Sequence, residues 1–154
     1  MSTCESVKIH VHCSDGLSEK LEAIHDRITR RAYERWLNRR VPGQTMVEFW
    51  SAAERELFCQ PKTEIRDWAH GFTVEIACSD VQVGSLRVFM SRTELLVLAP
   101  LQTSSLDRWI FRYLRFPKPV DNADASAFFE KGALQISATC VDAPEEQKVH
   151  FRVA

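Results

Sequence analysis

Ala127-Phe-Phe-Glu-Lys-Gly-Ala-Leu-Gln-Ile136 is the stretch whose reading decides the fold. It follows an aromatic run, Trp109-Ile-Phe-Arg-Tyr-Leu-Arg-Phe116, which ends at Pro117, and it closes on an alternating strand. A period of two sends successive side chains to opposite faces of a sheet. The 109–116 run is apolar at both phases, which predicts a strand that is central or covered by a partner. The same period recurs upstream. Phe72, Val74, Ile76 and Cys78 alternate with Thr73, Glu75 and Ala77, and Leu86, Val88 and Met90 alternate with Arg87 and Phe89. Glu94-Leu-Leu-Val-Leu98 is an apolar run of strand length. Short strands separated by turn signals predict a β-sandwich.

Residues 18 to 60 have a different period. Leu21, Ile24, Ile28, Ala32 and Trp36 recur every three or four residues, with Ser18 as the expected N-cap. Pro42-Gly43 breaks this helix, and a second opens at Thr45, with Glu48 placed for a capping box. Met46, Trp50, Ala53 and Leu57 form its expected apolar stripe, and Pro61 follows its end. A helical hairpin of this size rarely buries enough area to fold alone. Its aromatic face must therefore pack on the other domain, on a second copy or on another protein. Residues 1 to 17 hold an alternating run, Val7-Lys-Ile-His-Val11, ended by Ser14-Asp15-Gly16, and read as a tail or an edge strand. Residues 142 to 154 read as a C-terminal tail, in which Val149, Phe151 and Val153 alternate with His150 and Arg152.

Composition narrows the function. A chain of 154 residues suits one modest domain with an appendage and excludes two large ones. A formal net charge of -1 supplies no field to recruit nucleic acid or an anionic membrane. Five cysteines, Cys4, Cys13, Cys59, Cys78 and Cys140, show no CxxC spacing, so they fit a reducing compartment rather than a disulfide framework. The N-terminus has no basic residue followed by an apolar run, and no segment approaches the ~18 apolar residues of a membrane helix. The expectation is a cytoplasmic, bacterial protein.

Two resemblances follow from these residues. The stretch from Phe111 through Pro117, Val120 and Asp121 to Ile136 resembles the end of an α-crystallin domain. Small heat-shock proteins close that domain with an AxxxxGxL pattern after a strand ending in Leu-Pro or a similar pair, and Ala127, Gly132 and Leu134 stand in register with it. The resemblance covers residues 64 to 141 and implies an α-crystallin-type, immunoglobulin-like β-sandwich. With the hairpin at 18–60, the whole chain is expected to be mainly β with an N-terminal helical module. Separately, Arg31-Ala-Tyr-Glu-Arg-Trp36 and Trp50-Ser-Ala-Ala-Glu-Arg-Glu-Leu57 resemble a short bacterial module of unknown function, RAYxxW followed by WxxAEREL.

The small heat-shock resemblance implies an ATP-independent holdase in the stress response and no enzyme: no catalytic residue, no cofactor and no metal. Its partners would be unfolding client proteins and further copies of itself, at least as a dimer. An extended segment adds to an unpaired sheet edge by main-chain bonds while alternate side chains fill pockets. By the resemblance, that groove lies between the strand holding Leu86, Val88 and Met90 and the strand holding Ala127, Phe128 and Phe129. The docking tail is expected at Val149, Phe151 and Val153, although Val7-Lys-Ile9 fits the family's [IV]x[IV] pattern better. Against this stands the plainer reading that these strands pair within one monomer, since alternation does not distinguish the two. Two departures stand out. Cys78-Ser-Asp-Val-Gln-Val-Gly84 replaces the family's Pro-Gly, and the 99–108 connection is short where bacterial members carry a long loop with a swapped strand. The second puts the family's dimer mode in question.

Other candidates are weighed against blander accounts. Tyr33, Trp36 and Trp50 form either a client-binding surface on the hairpin or ordinary core. His10, His12 and Cys13 include donors for a soft metal but have no distant partner cluster. Arg27, Arg31, Arg35 and Arg39 form a cationic stripe, or a solvated face stapled by Asp26 and Glu34. Alternation of Cys78 with Val74 and Ile76 implies burial and an inert thiol. The alternative to a holdase is an adaptor that presents one defined partner through the sandwich edge or the hairpin.

Overall fold

The computed structural model describes residues 6–38, 43–101 and 108–141. Two short strands come first, β1 (Val7–Ile9) and β2 (Val11–Cys13), followed by the helices α1 (Ser18–Leu37) and α2 (Met46–Leu57). Eight more strands follow: β3 (Phe58–Cys59), β4 (Thr63–Trp68), β5 (Gly71–Ala77), β6 (Arg87–Met90), β7 (Glu94–Pro100), β8 (Trp109–Arg115), β9 (Ser126–Glu130) and β10 (Ala133–Thr139). One sheet runs β1-β9-β10-β5-β4 and the other β2-β6-β7-β8-β3. The two sheets form the expected sandwich behind a helical hairpin.

The core lies where the inner faces meet. Phe72, Val74 and Ile76 of β5 and Leu134 and Ile136 of β10 face Val88, Met90, Leu95 and Val97 of β6 and β7, all of them buried. β8 buries Ile110 in this core, while Trp109 and Phe111 on its other face pack beneath the hairpin with Phe58, Phe49, Ile28, Ala32 and Ala53. The two apolar phases of the 109–116 run are thus explained: one faces the opposite sheet and the other the helices. The hairpin's packing problem is solved inside the chain.

The turn between β9 and β10 gives the AxxxxGxL pattern its physics. Glu130 pairs with Ala133, leaving Lys131 and Gly132 as a two-residue turn with φ of 53° and 75°. Two successive positive φ values suit a primed turn whose twist matches the strands, and they favour glycine. A Cβ on Gly132 would also come within 3.0 Å of the Ser79 Cβ. Ala127 and Leu134 are both fully buried against the opposite sheet.

Several local expectations differ from the structure. Leu17, not Ser18, is the N-cap of α1: its carbonyl accepts from the Leu21 N–H at 3.0 Å, and its side chain is buried. Anchoring that apolar side chain sets where the helix begins, without a side-chain cap. Thr45 does cap α2, accepting from the Glu48 N–H at 3.2 Å, but Phe49 and Ala53 form the buried centre of that helix while Met46 is 50% exposed. The run Val7–Val11 is not one strand, because the chain turns from one sheet to the other at His10. Pro42, Arg39, Cys4 and the tail 142–154, with Val149, Phe151 and Val153, lie outside the described residues.

Candidate functional site

β6 and β9 are the strands on which the groove was expected, and they lie on the same flank of the sandwich, one in each sheet. Leu86, Val88, Met90 and Ala127 are buried in the core, and Phe129 is half-buried against it. Phe128 is 41% exposed because alternation sends it to the outer face, opposite Lys8 and Gln135. Five of the six expected residues therefore share one side of their strands.

Residues 7 to 13 close this flank of the sandwich. β1 lies antiparallel to β9, with Val7 opposite Phe129, Lys8 opposite Phe128 and Ile9 opposite Ala127. β2 lies parallel to β6, with Val11 opposite Val88, His12 opposite Phe89 and Cys13 opposite Met90. The bend at His10 lets one extended segment satisfy both edges: Ile9 enters the core from β9's side and Val11 packs on it from β6's side. Val7 and Ile9, the candidate docking residues at the N-terminal end, pair here as a strand within the sheet of their own chain, as in the plainer reading.

The far end of the segment is held by polar contacts that pattern reading missed. The Asn122 Nδ2 donates to the Met90 carbonyl at 3.0 Å and to the Ser14 carbonyl at 3.4 Å, while the Ser14 N–H donates to Met90 at 3.0 Å. The Cys13 Sγ lies 3.0 Å from the Asn122 carbonyl. Asn122 sits in a single short turn at 122–124 and belongs to no periodic run, so no sequence signal marked it. Outside the groove, the Lys20 ammonium stands 4.5 Å over the Phe89 ring, whose centroid is 5.2 Å from that of His12. Burial lowers the His12 pKa from its usual value, and His10, Arg87 and Lys20 lower it further by repulsion.

The remaining candidates lie on the hairpin, in the core and at the bend between β1 and β2. Trp36 and Trp50 pack on the hairpin core, with the Trp50 Nε1 donating to Thr29 Oγ1 at 3.4 Å, whereas Tyr33 is exposed and stacks on Trp36. Arg31 and Arg35 both reach Glu56 of α2, with Nε–Oε distances of 3.0 and 2.8 Å, and clamp the two helices together. The Arg31 hydrogen bond foremost, with Arg35, holds the Glu56 carboxyl below its usual range. Burial pushes the Cys78 thiol up to about 11, the signature of an inert cysteine. His10 and His12 stack edge to face at 4.5 Å, but among the described residues no group of three or more His, Cys, Asp or Glu converges. No described helix is long and apolar enough to cross a membrane.

Residues 24–58 match the family model described as "Protein of unknown function (DUF2934)". That segment spans most of the hairpin and carries the RAYxxW and WxxAEREL residues. Among solved structures, the chain is similar to HSP18.5 from E. histolytica, at 16% identity and a TM-score of 0.49, over 56% of this chain and 92% of that one. It is likewise similar to heat shock protein 16.0 from Schizosaccharomyces pombe, at 13% identity and a TM-score of 0.49, over 56% and 91%. A third is hspA from Xanthomonas axonopodis, at 16% and 0.47, over 56% and 98%. No curated protein matches the chain.

Proposed function

We propose that this chain is an ATP-independent holdase of the small heat-shock type, which binds partly unfolded clients in the groove between β6 and β9. The observation that supports the reading is the occupant of that groove. An extended segment already lies there, held by a three-residue ladder on each edge and by Ile9 and Val11 against the core. What accepts one extended apolar segment accepts another by the same main-chain bonds, and apolar contact at roughly 25 cal/mol per Å² is indifferent to client sequence. The resident segment is also short enough to leave by local opening, at less than the free energy of global unfolding. Client entry is therefore an exchange of strands. Cytoplasmic location and assembly into an oligomer belong to the same reading, with the docking role of Val149, Phe151 and Val153.

The test is thermal aggregation of several unrelated clients, without nucleotide, at near-stoichiometric ratios of this chain. A holdase suppresses light scattering for all of them. Protection of none overturns the reading.

A second reading is favoured by the turn end of the hairpin, where Tyr33, Leu37, Met46 and Val47 are all exposed. In it the self-filled sandwich is a scaffold, and the hairpin presents one defined partner. Trp50→Ala separates the roles. As support for the fold, Trp50 should cost ~1–3 kcal/mol of stability, in keeping with its partial burial, and leave protection per folded molecule unchanged. Lost protection with an unchanged melting temperature would favour recognition by the hairpin.

A further inference from the structure

A cavity of about 340 Å³ lies between the first half of α1 and the outer face of the sheet β2-β6-β7-β8-β3. Lys20, Ala23, Ile24 and Arg27 line it from the helix side, at a spacing that puts them on one face of α1. Phe89 of β6, Leu98 of β7, Trp109 of β8 and Phe58 of β3 form its floor. Alternation accounts for that floor. Val88, Val97 and Ile110 turn inward to the core, so their neighbours Phe89, Leu98 and Trp109 turn outward beneath the helix. The gap also has a cause in sequence. Further along α1, Ile28 and Ala32 are buried against Phe49 and Ala53 of α2, whereas Ala23 brings only a methyl group over the aromatic floor.

Ligand sites begin at about 300 Å³ and combine apolar walls with a few polar groups that fix orientation. Here the walls are aromatic and aliphatic, and the charged groups are both cations. Lys20 and Arg27 line the cavity, and no described Asp or Glu does. The Lys20 ammonium stands 4.5 Å over the Phe89 ring, which holds it at the cavity. Among the described residues no carboxylate pairs with it.

We propose that this cavity binds a small amphipathic carboxylate of the medium-chain fatty acid kind, with its hydrocarbon body on Phe89, Leu98 and Trp109 and its head group on the Lys20 ammonium. Charge and shape each remove an alternative. A cationic ligand would be repelled by Lys20 and Arg27 together. A bare anion such as phosphate would leave the apolar walls uncovered. A neutral hydrocarbon would fill the space but leave the ammonium, already drawn out of open water by Phe89, without a counter-ion. A charge-assisted hydrogen bond is stronger than one between neutral groups, so the head group sets selectivity while the walls supply the contact.

The site is independent of the holdase reading, because it uses the outer face of β6 and the client groove uses the inner one. Decanoate, kept below its micellar concentration, is titrated into the full chain by calorimetry while the indole N–H signals are followed by NMR. The expected result is saturable one-to-one binding that shifts the Trp109 signal, with decanol at least about tenfold weaker. K20M keeps an aliphatic side chain over Phe89 and should raise the decanoate dissociation constant about tenfold while leaving that of decanol unchanged. A23W fills the space from an exposed position on α1 and should abolish binding of both, with the helical signal retained in circular dichroism. Both variants should protect clients from aggregation as the unmodified chain does, so failure here and failure of the holdase test are read separately. Absence of saturable decanoate binding overturns the proposal. So does decanol binding as tight as that of decanoate, an affinity for decanoate that ignores K20M, or binding that persists in a folded A23W chain.

Discussion

On one flank of this sandwich, the β6 and β9 edges are closed by residues 7 to 13, which bring Ile9 to 7% exposure beside a fully buried Ala127. On the other, β4 leaves Ile65 at 52% exposure and its outward backbone groups unpaired by any described strand. The two flanks differ in side-chain pattern more than in backbone. The first flank has an inner row of Val88, Met90, Ala127 and Phe129, against which Ile9 and Val11 pack. β4 carries Glu64, Arg66 and Asp67 along its open edge. An apolar edge must be kept filled to avoid aggregation, whereas a charged edge can stand open.

That contrast breaks most readily at the two isoleucines. Ile9→Asp puts a carboxylate against the core and should cost ~2–4 kcal/mol in chemical denaturation, with β1 detached. Ile65→Asp, at the open edge, should change the stability of the isolated chain by less than about 0.5 kcal/mol. Equal costs would erase the distinction between the flanks. A smaller effect is expected at the turn that joins β9 to β10. Gly132→Ala forces a left-handed residue with a Cβ against Ser79, for a loss of ~1–2 kcal/mol in thermal unfolding. No loss would show that the turn does not hold β9 in place.

The smallest expected effect is one of pH. Because the His12 pKa is lowered in the fold, protonation favours the released segment. Its contribution is intact above the ordinary histidine value and weakens as pH falls through about 6.5. Amide exchange at β2 should therefore quicken on mild acidification, after correction for intrinsic rates, and His12→Gln should flatten that dependence. β4 should show no such change.

Much of this architecture was legible in sequence, for reasons that also explain what was not. β5, β6 and β10 each bury one face, so their period of two was visible, and Thr45 announced α2 through the geometry of its hydroxyl. β4 escaped because an edge strand that overhangs the opposite sheet has no buried row to report itself. β3 is two residues long and pairs in parallel with β8, too short to carry a period. The inward-facing residues of β6 and β9 could be named, but not the segment that covers them. Alternation in Val7-Lys-Ile9 says that the segment has an apolar side, and any sheet edge offers it the same donors and acceptors. The bend at His10 and the amide of Asn122, which direct it to β9 and then β6, act through tertiary contacts alone.

The most direct measurement is hydrogen–deuterium exchange of the full chain, alone and with a destabilised client present at a saturating ratio. Strand exchange in the groove predicts that amides of Val7–Cys13 lose protection while those of β6 and β9 keep theirs, now paired with client. Full protection of Val7–Cys13 in the client-bound state would contradict the account.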